Sequence, residues 1–170
     1  ISDYHTVKTM EKAEAMAAGL YQVIGAEIDD AYMVELKKQV IHPEIIKEVA
    51  EDIKIVYTPL CGTGNVPVRR VLKELGFNNV FVVEEQETPD GNFPTVSYPN
   101  PEDAKAFALA LKLAREKKAD IVMATDPDAD RLGIYALDTK SGEYIPFTGN
   151  MSGMLIADYI LRERRVTNTM

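Results

Sequence analysis

Asp126, Asp128 and Asp130 occupy alternate positions in the stretch "ATDPDADRLGI", residues 124–134, and Arg131 follows directly behind them. Two carboxylates about 4 Å apart repel by roughly 1 kcal/mol in bulk water and by several-fold more where the effective dielectric falls. A chain that crowds three of them calls for a positive partner. Mg²⁺ is small, hard and oxygen-seeking, and a few carboxylates with water or a phosphate complete its octahedron. Three aspartates without a histidine or a thiol favour it over zinc. A plainer reading is open as well: Asp-Pro-Asp is good turn chemistry, and Arg131 with solvent could neutralise the cluster. An EF-hand is excluded, because its invariant sixth-position glycine is Arg131 here and its twelfth position is Leu137 in place of glutamate. Arg131 itself reads either as a local salt-bridge partner or as a planar fork aimed at substrate oxygens, and its donor geometry favours the second.

Other candidates carry less chemistry. "TPLCGTGN", Thr58 to Asn65, resembles a phosphate-binding loop in its two glycines, but the last glycine of a dinucleotide fingerprint would be Pro67 and no Walker lysine follows. It reads as a tight connection from a strand to a helix. His5 and His42 have no second histidine or cysteine at ligand spacing, which points to solvated or packing roles. Ser2, Ser97, Ser141, Ser152 and Cys61 are the possible nucleophiles, and none stands in a recognisable elbow or beside a base. The chain offers a metal site and no visible attacking group.

The totals set the wider frame. With 170 residues, of which 46% are hydrophobic, the chain can bury the core of one ordinary domain, with pieces of its neighbours attached. A net charge of -8, from 27 acidic and 19 basic residues, provides no electropositive face for a phosphate backbone, so nucleic acid is not expected as a partner. The single cysteine, Cys61, suits a reducing compartment, and the cytoplasm is the expected one. No apolar run reaches the roughly 18 residues of a membrane span, and the opening "ISDYHTVKTM" lacks a signal-peptide pattern. That opening has no initiator methionine, which suggests an excised fragment.

The elements that must position the aspartates follow from periodicity. Residues before about 45 read as two or three short helices, interrupted at Gly19 and Gly25. "IKIVYTPL" reads as a buried strand stopping at Pro59, "VPVRRVLKELG" as a helix with Pro67 in its first turn and Gly76 at its end, and "NNVFVVEE" as a second strand. Residues 86–101 hold four of the nine prolines and read as an ordered surface excursion or a functional loop. A helix is expected from Pro101 through "EDAKAFALALKLAREKK", matching the helix dipole at both ends. "ADIVMAT" gives a third strand leading into the aspartates, "LGIYALD" a fourth, "KSGEY" a turn and "GNMSGMLIADYILRERR" a final helix. The aspartates therefore lie at a strand's carboxyl end, where open α/β sheets place their ligands. The expected fold class is α/β: a three-layer α/β/α sandwich on a mixed sheet of about four strands, with flanking helices from neighbouring domains.

Several separated motifs together resemble those of the α-D-phosphohexomutases, the phosphoglucomutase/phosphomannomutase branch. "ATDPDADRLGI" is similar to the family's D-x-D-x-D-R magnesium loop, and "YTPLCGTGNVPVRRVLKELGF" and "ETPDGNFPTVSYPNPE" resemble the opening and middle of its second domain. The segments before and after resemble the exit from the first domain and the entry into the third. The resemblance implies three parts: residues 1–45 as the helical end of the first domain, 46–140 as the metal-binding domain II, and 141–170 as a linker and first helix of the third. It implies that Asp126, Asp128 and Asp130 hold Mg²⁺, that Arg131 meets a sugar phosphate, and that the catalytic phosphoserine, with its T-A-S-H-N-P type loop, belongs to a missing domain of the same chain. The enzyme so implied interconverts hexose 1-phosphate and hexose 6-phosphate through a bisphosphorylated intermediate, and this piece alone is expected to be inactive. Cys61 departs from the family pattern, which often has histidine there, and is read as a packed variant. Two other readings stand beside this one. "VMATDPDAD" superficially resembles the aspartyl-nucleophile motif of haloacid-dehalogenase-like phosphatases, although Asp130 replaces the required Thr or Val. A non-catalytic binding module is the other, motivated by the missing nucleophile and the long loop.

Overall fold

The computed structural model describes residues 2–167. The chain forms two compact units, Ile1–Glu35 and Leu36–Met170. The first contains the short helix α1, Lys12–Ala17, and most of α2, Ala26–Lys37, with Gly19 between them in the left-handed region at φ +70°. This agrees with the short helices expected there.

The second unit is built on a five-stranded sheet in the order β2-β1-β3-β4-β5. Its strands are β1 Lys54–Thr58, β2 Asn79–Val82, β3 Ile121–Thr125, β4 Leu132–Leu137 and β5 Tyr144–Phe147. The first three run parallel, with Val56 opposite Phe81 on one side and Val122 on the other, while β4 and β5 add antiparallel. Helix α4, Asn65–Glu74, joins β1 to β2, and α5, Ala108–Lys117, precedes β3. The first connection steps one way across the sheet and the second steps back over β1; right-handed crossovers in opposite directions put their helices on opposite faces. That makes the three-layer sandwich, and it explains why β1 is buried on both faces from Ile55 to Thr58. The core joins Val56, Leu60, Val83 and Val122 of the sheet region to Ala110 and Ala114 of α5 and to Ala106 and Phe107 just ahead of it.

Two expectations need correction. The sheet has five strands, because "YIPF" pairs with β4, placing Pro146 opposite Tyr135. A four-residue run interrupted by proline carries almost no strand signal, and an edge strand is where a missing N–H is tolerated. The helix expected from Pro101 begins later. The Asn100 and Asp103 carboxamide and carboxylate oxygens accept from the Glu102 and Lys105 amides, at 3.0 and 2.9 Å, so the chain turns here instead. A 3-10 turn, Ala104–Phe107, leads into α5. The end of α5 is as expected: Lys118, at φ 52°, closes it with its N–H on the Ala114 carbonyl.

The final helix α6, Gly149–Thr167, returns to α3, Pro43–Val49. His42, just ahead of α3, has Nδ1 2.9 Å from Glu44 Oε1 and Nε2 2.8 Å from Glu163 Oε2. A neutral imidazole has one N–H, so only the imidazolium satisfies both carboxylates. Glu163 first and Glu44 second raise the pKa of His42 above its ordinary 6.5. A raised folded-state value means that the stabilisation is fully present below about pH 6.5 and is lost as the pH rises through the folded-state pKa. The melting-temperature difference between the chain and His42→Gln should therefore be present in thermal scans at pH 6 and shrink steadily towards pH 9. An unchanged difference would show that the clasp does not titrate.

Among the described residues no helix is long and apolar enough to cross a membrane.

Candidate metal centre

The three aspartates lie just beyond the carboxyl end of β3. Thr125, the last residue of that strand, is buried, and Asp126 is only 1% exposed. A carboxylate so enclosed has to be fully hydrogen-bonded, and it is. Its Oδ1 accepts from the Arg131 amide at 3.0 Å and its Oδ2 from Arg131 Nε at 2.8 Å. The Asp126 carbonyl also accepts from the Ala129 amide at 3.0 Å, and Ala129 takes the left-handed φ of 61° that so tight a turn requires. Burial pushes the Asp126 carboxyl pKa up, and the Arg131 amide and guanidinium outweigh it and hold the group below its usual value. Asp126 is thus the ionised anchor of the loop.

Asp128 and Asp130 are exposed at the rim, and one oxygen from each of the three carboxylates can be chosen so that all lie within 4.8 Å of one another. The charge of Asp128, and then that of Asp126, raises the Asp130 pKa. Arg131 Nε stands 3.7 Å from Asp130 and is committed to Asp126, so one arginine offsets one of three charges. Two negative charges carried wholly on oxygen donors remain, which is the donor set and charge of a hard divalent cation. The residues present fit such an ion. The Asp126 carboxylate first, and the Tyr98 hydroxyl after it, raise the pKa of Arg131. Its side chain is 45% exposed, so a guanidinium fixed through Nε still presents N–H donors to solvent.

The turn after β1 meets this loop. The Thr63 amide and hydroxyl both donate to the Pro127 carbonyl, at 2.8 and 3.1 Å. Gly62 faces the same residue so closely that a Cβ would lie 2.4 Å from Pro127 Cα, and one on Gly64 would lie 2.6 Å from both Thr125 Oγ1 and the Tyr57 hydroxyl. Those two hydroxyls share a buried hydrogen bond of 2.8 Å between β1 and β3. No such contact is legible in "TPLCGTGN"; a glycine pair after a strand that neighbours β3 is the one signal that could have raised it.

The long loop is also tied to this end of the sheet. Gln86, 1% exposed, accepts from Thr58 Oγ1 at 2.6 Å, donates to Thr95 Oγ1 at 3.0 Å, and takes the Cys61 amide on its carbonyl at 2.9 Å. Residues 86–101 are therefore an ordered excursion anchored at Gln86 to the turn after β1. Cys61 is buried, and burial followed by the charge of Asp90 raises its thiol pKa, which makes it a poor nucleophile. His42 pairs with Glu44 and Glu163 and not with the aspartates, while Ser141 donates to Asp138 in the β4–β5 turn at 2.7 Å.

Known proteins resemble this chain in sequence and in fold. The sequence profile described as phosphoglucomutase/phosphomannomutase, alpha/beta/alpha domain II, matches residues 30–139. A "Probable phosphomannomutase" of Haemophilus influenzae is 38% identical over 143 residues, 84% of this chain and 28% of that protein. A "Phosphoglucomutase" of Staphylococcus haemolyticus is 44% identical over 117 residues, 69% of this chain and 21% of that protein. The solved structure of a "putative phosphomannomutase" from Thermus thermophilus shares the fold with a TM-score of 0.53 at 22% identity, over 64% of this chain and 24% of that one. This chain therefore spans no more than 28% of the length of these relatives. With the profile covering most of the chain and the sandwich matching in topology, the chain belongs to the phosphoglucomutase/phosphomannomutase family, in which it corresponds to domain II.

Proposed function

We propose that this chain is the Mg²⁺-holding domain of a phosphohexomutase that interconverts hexose 1-phosphate and hexose 6-phosphate through a phosphoserine and a bisphosphorylated intermediate. The observation that carries the proposal is the charge balance of the loop: three gathered carboxylates with a single arginine. Asp126, Asp128 and Asp130 are the metal ligands. A divalent cation there supplies charge neutralisation to a phosphoryl group in transfer. Arg131, fixed by Asp126, turns its remaining donors towards a phosphate or hydroxyl oxygen of the sugar phosphate. The sequence contains no T-A-S-H-N-P type serine loop, so the phosphoserine comes from another domain. The cytoplasm belongs to the same proposal as the compartment of sugar-phosphate metabolism.

The geometry disfavours the aspartyl-phosphatase reading. Its attacking carboxylate would be Asp126, and both oxygens of that buried group are occupied by Arg131.

Coupled assays of glucose 1-phosphate and mannose 1-phosphate test the proposal. The full-length protein containing this chain should form the 6-phosphates only with a divalent cation, and the chain alone should form none. Turnover by the chain alone would overturn the phosphoserine part. Failure of the full-length protein to isomerise either sugar, or simple release of inorganic phosphate, would overturn the mutase reading.

A further inference from the structure

We infer that the turn Pro59–Gly64 is the positioning element of the aspartate loop, with Thr63 and Gly62 as its working residues. The inference rests on the metal reading for its consequence and on geometry for its substance. The aspartate loop projects from β3 with two exposed carboxylates that repel each other, and its internal bonds all close on Asp126. Nothing in that set restrains Pro127, the residue between the first two ligands. The restraint comes from the next strand: Thr63 gives Pro127's carbonyl two donors, and Gly62 lets the backbones approach to a distance that forbids a side chain. Behind this contact, Gly64 leaves room for the Tyr57–Thr125 hydrogen bond, which ties the two strand ends together under the loops.

The turn is itself held in a conformation that L residues resist. Leu60 and Cys61 both have positive φ, 47° and 59°. The Leu60 amide is taken by Thr58 Oγ1 at 3.1 Å and the Cys61 amide by the Gln86 carbonyl at 2.9 Å. Such backbone is strained and persists only where the surroundings over-determine it. Its result here is to aim the Thr63 amide at Pro127. Thr63 is exposed, so its hydroxyl contributes nothing to the core and its contact with Pro127 is what a substitution removes.

Amide hydrogen exchange on the metal-free chain tests this without reference to the ion. In Thr63→Val the loop amides of Ala129 and Arg131 should exchange about threefold to tenfold faster, the range of one lost hydrogen bond, while Val56 and Val122 in the sheet stay unchanged. Thr63→Ser should restore the wild-type rates. Gly62→Ala should accelerate the same amides by more than Thr63→Val does, since its Cβ would displace Pro127. Unchanged loop exchange in Thr63→Val and Gly62→Ala would overturn the inference, as would acceleration spread evenly over the sheet in Thr63→Val. Mn²⁺ titration of the same proteins separates the two readings. If the wild-type chain binds Mn²⁺, Thr63→Val should bind it about threefold to tenfold more weakly, and equal affinity would overturn the inference. If the wild-type chain binds none, the metal reading fails, and the exchange rates decide the positioning role alone.

Discussion

Replacing Asp128 by asparagine is expected to lower the affinity of the chain for Mn²⁺ or Mg²⁺ by about a hundredfold while leaving the metal-free fold as stable as before, or more so. Loss of a partner outside the first coordination sphere already costs about 10- to 100-fold in a metal site, and Asp128 would be a direct ligand. The stability side follows from charge. Asp128 is exposed and stands among like charges, and its carboxylate is the main influence raising the Asp130 pKa. Removing it relieves repulsion in the absence of metal. Asp126 should behave in the opposite sense. Asp126→Ala strips the Arg131 amide and Nε of a buried acceptor, and it should cost about 2 kcal/mol, less than a fully buried pair because the Arg131 side chain stays partly solvated. Calorimetric titration with Mn²⁺ and thermal unfolding without it give the two readouts. A drop in stability for Asp128→Asn with metal affinity intact would invert the assignment.

That difference between neighbouring aspartates marks where sequence reading stops. The gathering of the three carboxylates is legible because it is local: residue type and alternation in one loop are enough to expect oxygen donors at one place. The location at a strand's end was legible too, since "ADIVMAT" is a short buried run directly ahead of the loop. What distinguishes Asp126 from Asp128 is burial and capture by Arg131, and burial is a property of the assembled fold. The Thr63–Pro127 contact bridges 64 residues, and no periodicity within "TPLCGTGN" encodes it. Strand β5 was hidden for a third reason. Its pairing along β4 outweighs the weak propensity of "YIPF", a tertiary effect that a local window does not contain.

Phe107→Ala should be the most destabilising single change in the covering layer, at about 3–4 kcal/mol, which for a chain of this size lowers the melting temperature by roughly 10 °C. Phe107 is 1% exposed and its ring packs 4.6 Å from that of Tyr135 on β4, tilted by 51°. The cost depends on whether the neighbours can close over the void, and here they are small or fixed. Ala106, Ala110 and Ala114 have nothing to extend, and Val122 and Ala124 are held by the sheet. On the other side, Gly133 has no room for a side chain, since a Cβ would stand 2.3 Å from the Pro101 carbonyl and 2.9 Å from the Phe107 ring. The ring is therefore the wedge that sets how closely the Pro101 segment crosses β4. Phe107→Leu, which keeps most of the volume, should cost about 1 kcal/mol. Urea unfolding of the metal-free chain measures both variants. A loss below about 1 kcal/mol for Phe107→Ala would mean that the alanine layer collapses into the space, and the rigidity of this layer would have to be abandoned.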